Sequence, residues 1–117
     1  MRARLRHPGT ALALLLVSHL GAVTLGGVQP GQAFVGLISD DMCAQSHAAM
    51  RMGPTDAECT HACIEEHGGS YVLVDGEHVY KLSDQIAPKA FAGRRVKVVG
   101  RLDAATSTIT VESITGA

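Results

Sequence analysis

At 117 residues the chain has room for one domain. Apolar residues make up 46% of it but aromatics only 3%, with no Trp, which argues against an aromatic surface for stacking nucleic-acid bases. A net charge of −1 with 18% charged residues argues equally against a phosphate-binding basic patch and a charge-driven disordered tail.

The first third reads as an export leader. Arg2, Arg4 and Arg6 form a basic start, Ala11 to Val17 is an unbroken apolar run, and Pro30 stands just before Gly31 and Ala33. Gly31 and Ala33 are the small residues a signal peptidase accepts, so residues 1–33 are expected to be a secretory signal cut after Ala33. A retained membrane anchor competes with this reading, but Ser18, His19, Gly21, Gly26 and Gly27 interrupt the apolar run. No Cys precedes Cys43 and no Arg-Arg pair occurs near the start, which points to neither a lipid anchor nor a twin-arginine route. Export places the mature chain in the periplasm or outside the cell.

Cleavage would leave residues 34–117 as a single domain. The leader takes three arginines and no acid with it, so seven basic residues face eleven acidic ones, net −4. That balance disfavours nucleic acid or an anionic membrane as partner. A chain this small gains from a staple or a metal ion.

A first strand is predicted over Phe34–Ser39, ending at Asp40-Asp41. From Met42 to Met52 the composition turns to Cys, Ala, Gln, His and Met, with helical character, until Gly53-Pro54 stops it. Thr55-Asp56-Ala57-Glu58 has the form of a capping box, opening a helix from Asp56 to about His67 that ends at Gly68-Gly69. Ser70–Val74 and Glu77–Leu82 flank Asp75-Gly76 and read as a hairpin. A short helix near Ser83–Ile86, with Pro88 in its first turn or as a break, leads to Gly93. Arg95–Leu102 and Thr108–Ile114 alternate as the last two strands.

The predicted class is mainly β (α+β): a small five-stranded OB-like barrel with a Cys/His-containing helical insert over residues 42–68 after strand 1. Val72, Val74, Val79, Val96, Val98, Ile109 and Val111 are its expected core. An open α+β sheet of the same strands is the competing arrangement.

Several spaced residues point further. Gly36-x3-Asp40-x2-Cys43-x3-His47, Cys59-Thr60-x2-Cys63, Tyr71-Val72-Leu73-Val74, Val79-Tyr80-x-Leu82-x-Asp84-Gln85 and Phe91-Ala92-Gly93-x2-Val96-x-Val98-x-Gly100 together resemble a group of small exported bacterial proteins with an OB-like β half. The second half is also similar to a wider group of exported bacterial OB-fold proteins. The resemblance implies export and fold, and no reaction.

The candidate chemistry lies between Asp40 and His67. Cys43-x3-His47 and Cys59-x3-Cys63 each place two ligands four apart, on one face if helical. Brought together, Cys43, His47, Cys59 and Cys63 form a Cys3His set suited to tetrahedral Zn2+. Met50 and Met52 beside His47 raise Cu+ as a less favoured ion, although Met also serves as core filler. In an oxidising compartment the same cysteines can pair instead, with one left over, and Cys43 reaches Cys59 or Cys63 with less distortion than those two reach each other.

His67 is expected at the helix C-terminus as a cap, His61 and His78 in solvent, and Asp40 or Asp41 as a cap or as the partner of a ligand imidazole. No phosphate loop or Gly-x-Ser-x-Gly occurs, Glu65-Glu66 read as a solvated helix edge, and a Cys-x2-Cys redox motif is absent. The expectation is therefore a non-catalytic zinc-binding protein whose barrel engages an unknown protein or small-molecule ligand. A thiol-redox or Cu+-handling protein using Cys59 and Cys63, or a disulfide-stapled interaction domain, are the alternatives.

Overall fold

The computed structural model of the chain describes residues 30–48 and 53–117. Residues 1–29 of the expected leader, and Met50 and Met52, lie outside the described residues. Among the described residues five strands and one α-helix follow in the order β1 (Gln32–Asp40), α1 (Asp56–His67), β2 (Tyr71–Asp75), β3 (His78–Leu82), a 3₁₀ helix (Ala87–Phe91), β4 (Arg95–Asp103) and β5 (Thr108–Gly116).

The strands close into a barrel in the order β1-β2-β3-β5-β4, with β4 returning to β1. Four of its five seams are antiparallel; the seam that completes the cycle, β3 with β5, is parallel and short, pairing Lys81 with Thr108 and Leu82 with Ile109. The open-sheet alternative does not form. The register of β4 and β5 shifts between Val99 and Gly100, a bulge at which a side chain on residue 100 would run into the Thr110 carbonyl.

The interior is filled by Ile38, Tyr71, Leu73, Leu82, Ala92, Val96, Val98 and Ile109. Val96, Val98 and Ile109 were expected there. On β2 the phase is the other one: Tyr71 and Leu73 point inward, because Leu73 stands opposite Ile38 in the β1–β2 register. Val72 is buried as well, outside the interior cluster and opposite Ser39 on β1, the strand against which α1 packs. Val74, Val79 and Val111 are half-buried.

Two further differences are local. Asp75 pairs with His78, so the two-residue hairpin loop is Gly76-Glu77, one residue later than the Asp75-Gly76 turn read from sequence. The short helix begins at Ala87, after Asp84 Oδ1 accepts from the Ile86 and Ala87 N–H groups at 2.8 and 3.2 Å. Gln85 then ties this loop to the barrel end. Its Oε1 accepts from Tyr71 N at 2.7 Å, and its Nε2 donates to the Tyr71 and Leu82 carbonyls.

Candidate metal centre

The helix that holds two of the candidate ligands starts and stops where its sequence dictates. Thr55 is the N-cap, its Oγ1 accepting from Glu58 N at 3.2 Å while its hydroxyl donates to the Glu58 carboxylate at 2.8 Å. At the other end Gly68 takes a left-handed conformation (φ +72°), its N–H bonding to the Ile64 carbonyl and the Gly69 N–H to that of Cys63. Cys59, Thr60 and Cys63 are the buried residues of α1. Lys89 of the 3₁₀ helix donates to Glu65 at 2.7 Å, pinning the outer edge of α1.

The segment from Asp41 to Gln45 is a run of turns, and no helix is found over residues 42–48; among the described residues of the insert the helix is α1. Asp40 causes this. Its Oδ1 accepts from Met42 N at 3.0 Å and Cys43 N at 2.8 Å, giving the backbone a turn in place of a helix. Asp41 closes the other side, its Oδ1 accepting from Ser70 N at 2.8 Å. The chain is thereby folded back so that His47 lies over the start of α1.

Asp40 is fully buried and His47 nearly so, with 8% of its side chain exposed. The His47 Nε2 stands 2.8 Å from Asp40 Oδ2 and 3.4 Å from the hydroxyls of both Ser39 and Thr60. Its Nδ1 stands 3.2 Å from Oδ1 of the exposed Asp56. A carboxylate only accepts, so both contacts form together only while the ring carries both protons. A ring that binds a metal gives up one of them, and the contact to solvent-facing Asp56 is the longer.

The ligand atoms of Cys43, His47 and Cys59 lie within 4.8 Å of one another, and those of Asp40, Cys43 and Cys63 do so as well. The four sequence-predicted residues therefore fall into two trios that share Cys43, not into one group, and Asp40 joins the second as a member not predicted as a ligand. Donors around a tetrahedral zinc stand about 3.8 Å apart, so within either trio the side chains need close by only about 1 Å.

Electrostatics reflect the burial. For Asp40, burial works to raise the pKa, but the Cys43 N–H, the His47 ring and the Met42 N–H outweigh it and hold the carboxyl below its ordinary value. Burial, followed by the negative charge of Asp40, pushes the Cys43 thiol up. The same two causes push Cys63 up to about 12. Thiols in such a setting are poor nucleophiles at neutral pH and become thiolates when a cation replaces their protons.

The other histidines divide. His61, expected in solvent, is half-buried, with its Nδ1 3.0 Å from the Tyr71 hydroxyl. His67 is exposed in the last turn of α1, where the capping contacts come from the Gly68 and Gly69 backbone. His78 is exposed, as expected, and stacks on Tyr80. The Ser39 and Thr60 hydroxyls at His47 were missed: Ser39 stands in no motif, and Thr60, though part of Cys59-Thr60-x2-Cys63, has no ligand chemistry of its own to mark it.

Residues 63–117 match a family described as a protein of unknown function (DUF5818). The match takes in the end of α1 and the rest of the barrel from β2, and begins at Cys63, so Asp40, Cys43, His47 and Cys59 lie outside it. No curated protein and no solved structure matches the chain.

Proposed function

We propose that the chain is a small exported metal-binding protein of OB type, in which Cys43, His47, Cys59 and Cys63 bind Zn2+ and tie the insert to the barrel. The convergence of Cys43, His47 and Cys59 within 4.8 Å, from a turn, a loop and a helix, carries this reading. Cys63 and Asp40 adjoin them through Cys43. The donor set fits zinc: soft sulfurs, a borderline imidazole and a carboxylate, mostly buried. The barrel order supports the OB assignment, and with α1 docked on it the barrel is a platform for a protein or small-molecule partner. No catalytic role is assigned to the centre. The raised thiols of Cys43 and Cys63 speak against a thiol-redox enzyme working at neutral pH.

The closeness of Cys43 to both other cysteines equally favours one competing state, a disulfide to either of them. Native mass spectrometry with thiol counting, on protein collected from the exported fraction of the cell, separates the readings. Bound zinc and three titratable thiols after metal removal are expected. One disulfide, one thiol and no metal overturns zinc in favour of a stapled domain, and Cu+ held against a competing chelator replaces zinc with copper. Accumulation of the uncut chain inside the cell overturns export.

A further inference from the structure

The two trios raise a question of count. A single tetrahedral ion at Cys43, His47, Cys59 and Cys63 would leave Asp40 as a bystander, yet Asp40 stands with Cys43 and Cys63 as closely as His47 stands with Cys43 and Cys59. Both trios draw on groups closed off from solvent: Asp40 is 0% exposed, Cys59 1% and Cys63 0%.

We infer that the centre takes two divalent ions bridged by the Cys43 thiolate, one held by Cys43, His47 and Cys59, the other by Asp40, Cys43 and Cys63. This rests on the metal-binding reading above and adds to it the number of ions, a bridging ligand and Asp40 as a ligand. A thiolate sulfur has lone pairs for two metals, and Cys43 is the residue common to both trios. Its turn is held by the backbone bond from Cys43 N to Asp40 Oδ1, so the first residue of one trio and the shared residue of both are fixed to each other before any ion arrives. On loading, each thiol exchanges its proton for a metal bond and the protons pass to buffer; nothing is oxidised or reduced.

The test is anaerobic titration of the reduced, metal-free full chain with Co2+, alongside native mass spectrometry with Zn2+. The thiolate-to-cobalt charge-transfer absorption is expected to rise to two equivalents. The electron paramagnetic resonance signal should grow with the first equivalent and fall with the second, as bridged ions couple. Zinc should add as two ions. Cys63→Ser and His47→Ala, which each damage one trio, should retain one uncoupled ion, as should Asp40→Asn provided its circular dichroism stays native. Saturation at one equivalent overturns the two-ion centre and leaves a one-ion zinc protein. Binding of none overturns the metal-binding reading itself. A second ion that shows no coupling, or that persists in Cys63→Ser, sits elsewhere on the molecule and also overturns the bridge.

Discussion

Asp40 is the residue on which the candidate centre turns. Its fully buried carboxylate accepts from two backbone N–H groups and faces the His47 ring. Hydrogen bonds to a buried charge contribute about 1.5–3 kcal/mol each. Asp40→Asn keeps the shape but removes the charge, and is expected to cost the metal-free protein about 2 kcal/mol, read as a lower urea midpoint. The pH dependence has a definite sign. The folded-state pKa of Asp40 lies below its ordinary 3.8, so its contribution is complete above that value and disappears as pH falls through the folded pKa. The wild-type chain should therefore lose more stability than Asp40→Asn as the pH is lowered below about 4. Equal acid sensitivity of the two proteins would show that the carboxylate contributes nothing. Cysteine reactivity is a second check at this scale. With its thiol at about 12 and no exposure, Cys63 should resist iodoacetamide at pH 8 in the folded, metal-free chain, while half-buried Cys43 reacts first. Mapping the alkylated peptides before and after urea unfolding reads this directly.

The sequence was most legible where a local rule acts alone. Thr55 and Gly68 bracket α1 because a cap and a left-handed residue are short-range requirements, and the alternating runs of β4 and β5 needed only their own periodicity. It was least legible where one side chain redirects the backbone. The composition of Met42–Ala48 favours helix, but the bonds from Asp40 to the next two N–H groups divert the chain, so Cys43 and His47 meet by a fold-back and not by helical spacing. The phase of β2 was hidden for a similar reason: Tyr71 to Val74 is apolar at every position, and the pairing of Leu73 with Ile38 chooses the inward set. Docking of α1 is likewise a tertiary matter. Gly93, just before β4, has φ +70°, and a Cβ there would stand 2.8 Å from Ala57 N in the first turn of α1. Gly93→Ala combines a strained backbone with that collision and should cost more than about 1 kcal/mol. If the loss reflects separation of helix from barrel, metal affinity should fall with it in a competition titration, because Cys59 and Cys63 move with α1. A stability loss with unchanged affinity would place the damage in the β4 turn alone.

At the scale of the whole molecule the barrel and the leader expected from the sequence would make competing claims on the same residues. β1 begins at Gln32, and its ladder with β4 pairs Gln32 with Gly100 and Ala33 with Val99 before Phe34 meets Val98. Cleavage after Ala33 would remove the first two of those pairs. The first two residues of β1 are exposed, whereas Phe34 packs against the core cluster and lies 5.6 Å from the Tyr80 ring. The core therefore starts at Phe34, and the pairs upstream of it add ladder bonds worth about 1 kcal/mol apiece. A chain of residues 34–117 should fold with β1 still paired to β4 from Phe34 to Leu37, and with a urea midpoint only modestly below that of residues 30–117. Removal of residues up to Leu37 is a different matter, because Phe34 is lost together with every β1–β4 pair. Ile38 would then keep its pairing to β2 and its backbone bonds to Gly93 and Arg94, with no β1–β4 ladder left. The barrel opens at that seam while the short parallel β3–β5 seam carries the rest, so residues 38–117 should give no cooperative unfolding transition. Circular dichroism and urea melts of the three chains decide between these outcomes. A cooperative fold in 34–117 keeps the proposed cleavage after Ala33 admissible, and an unfolded 34–117 chain would rule it out.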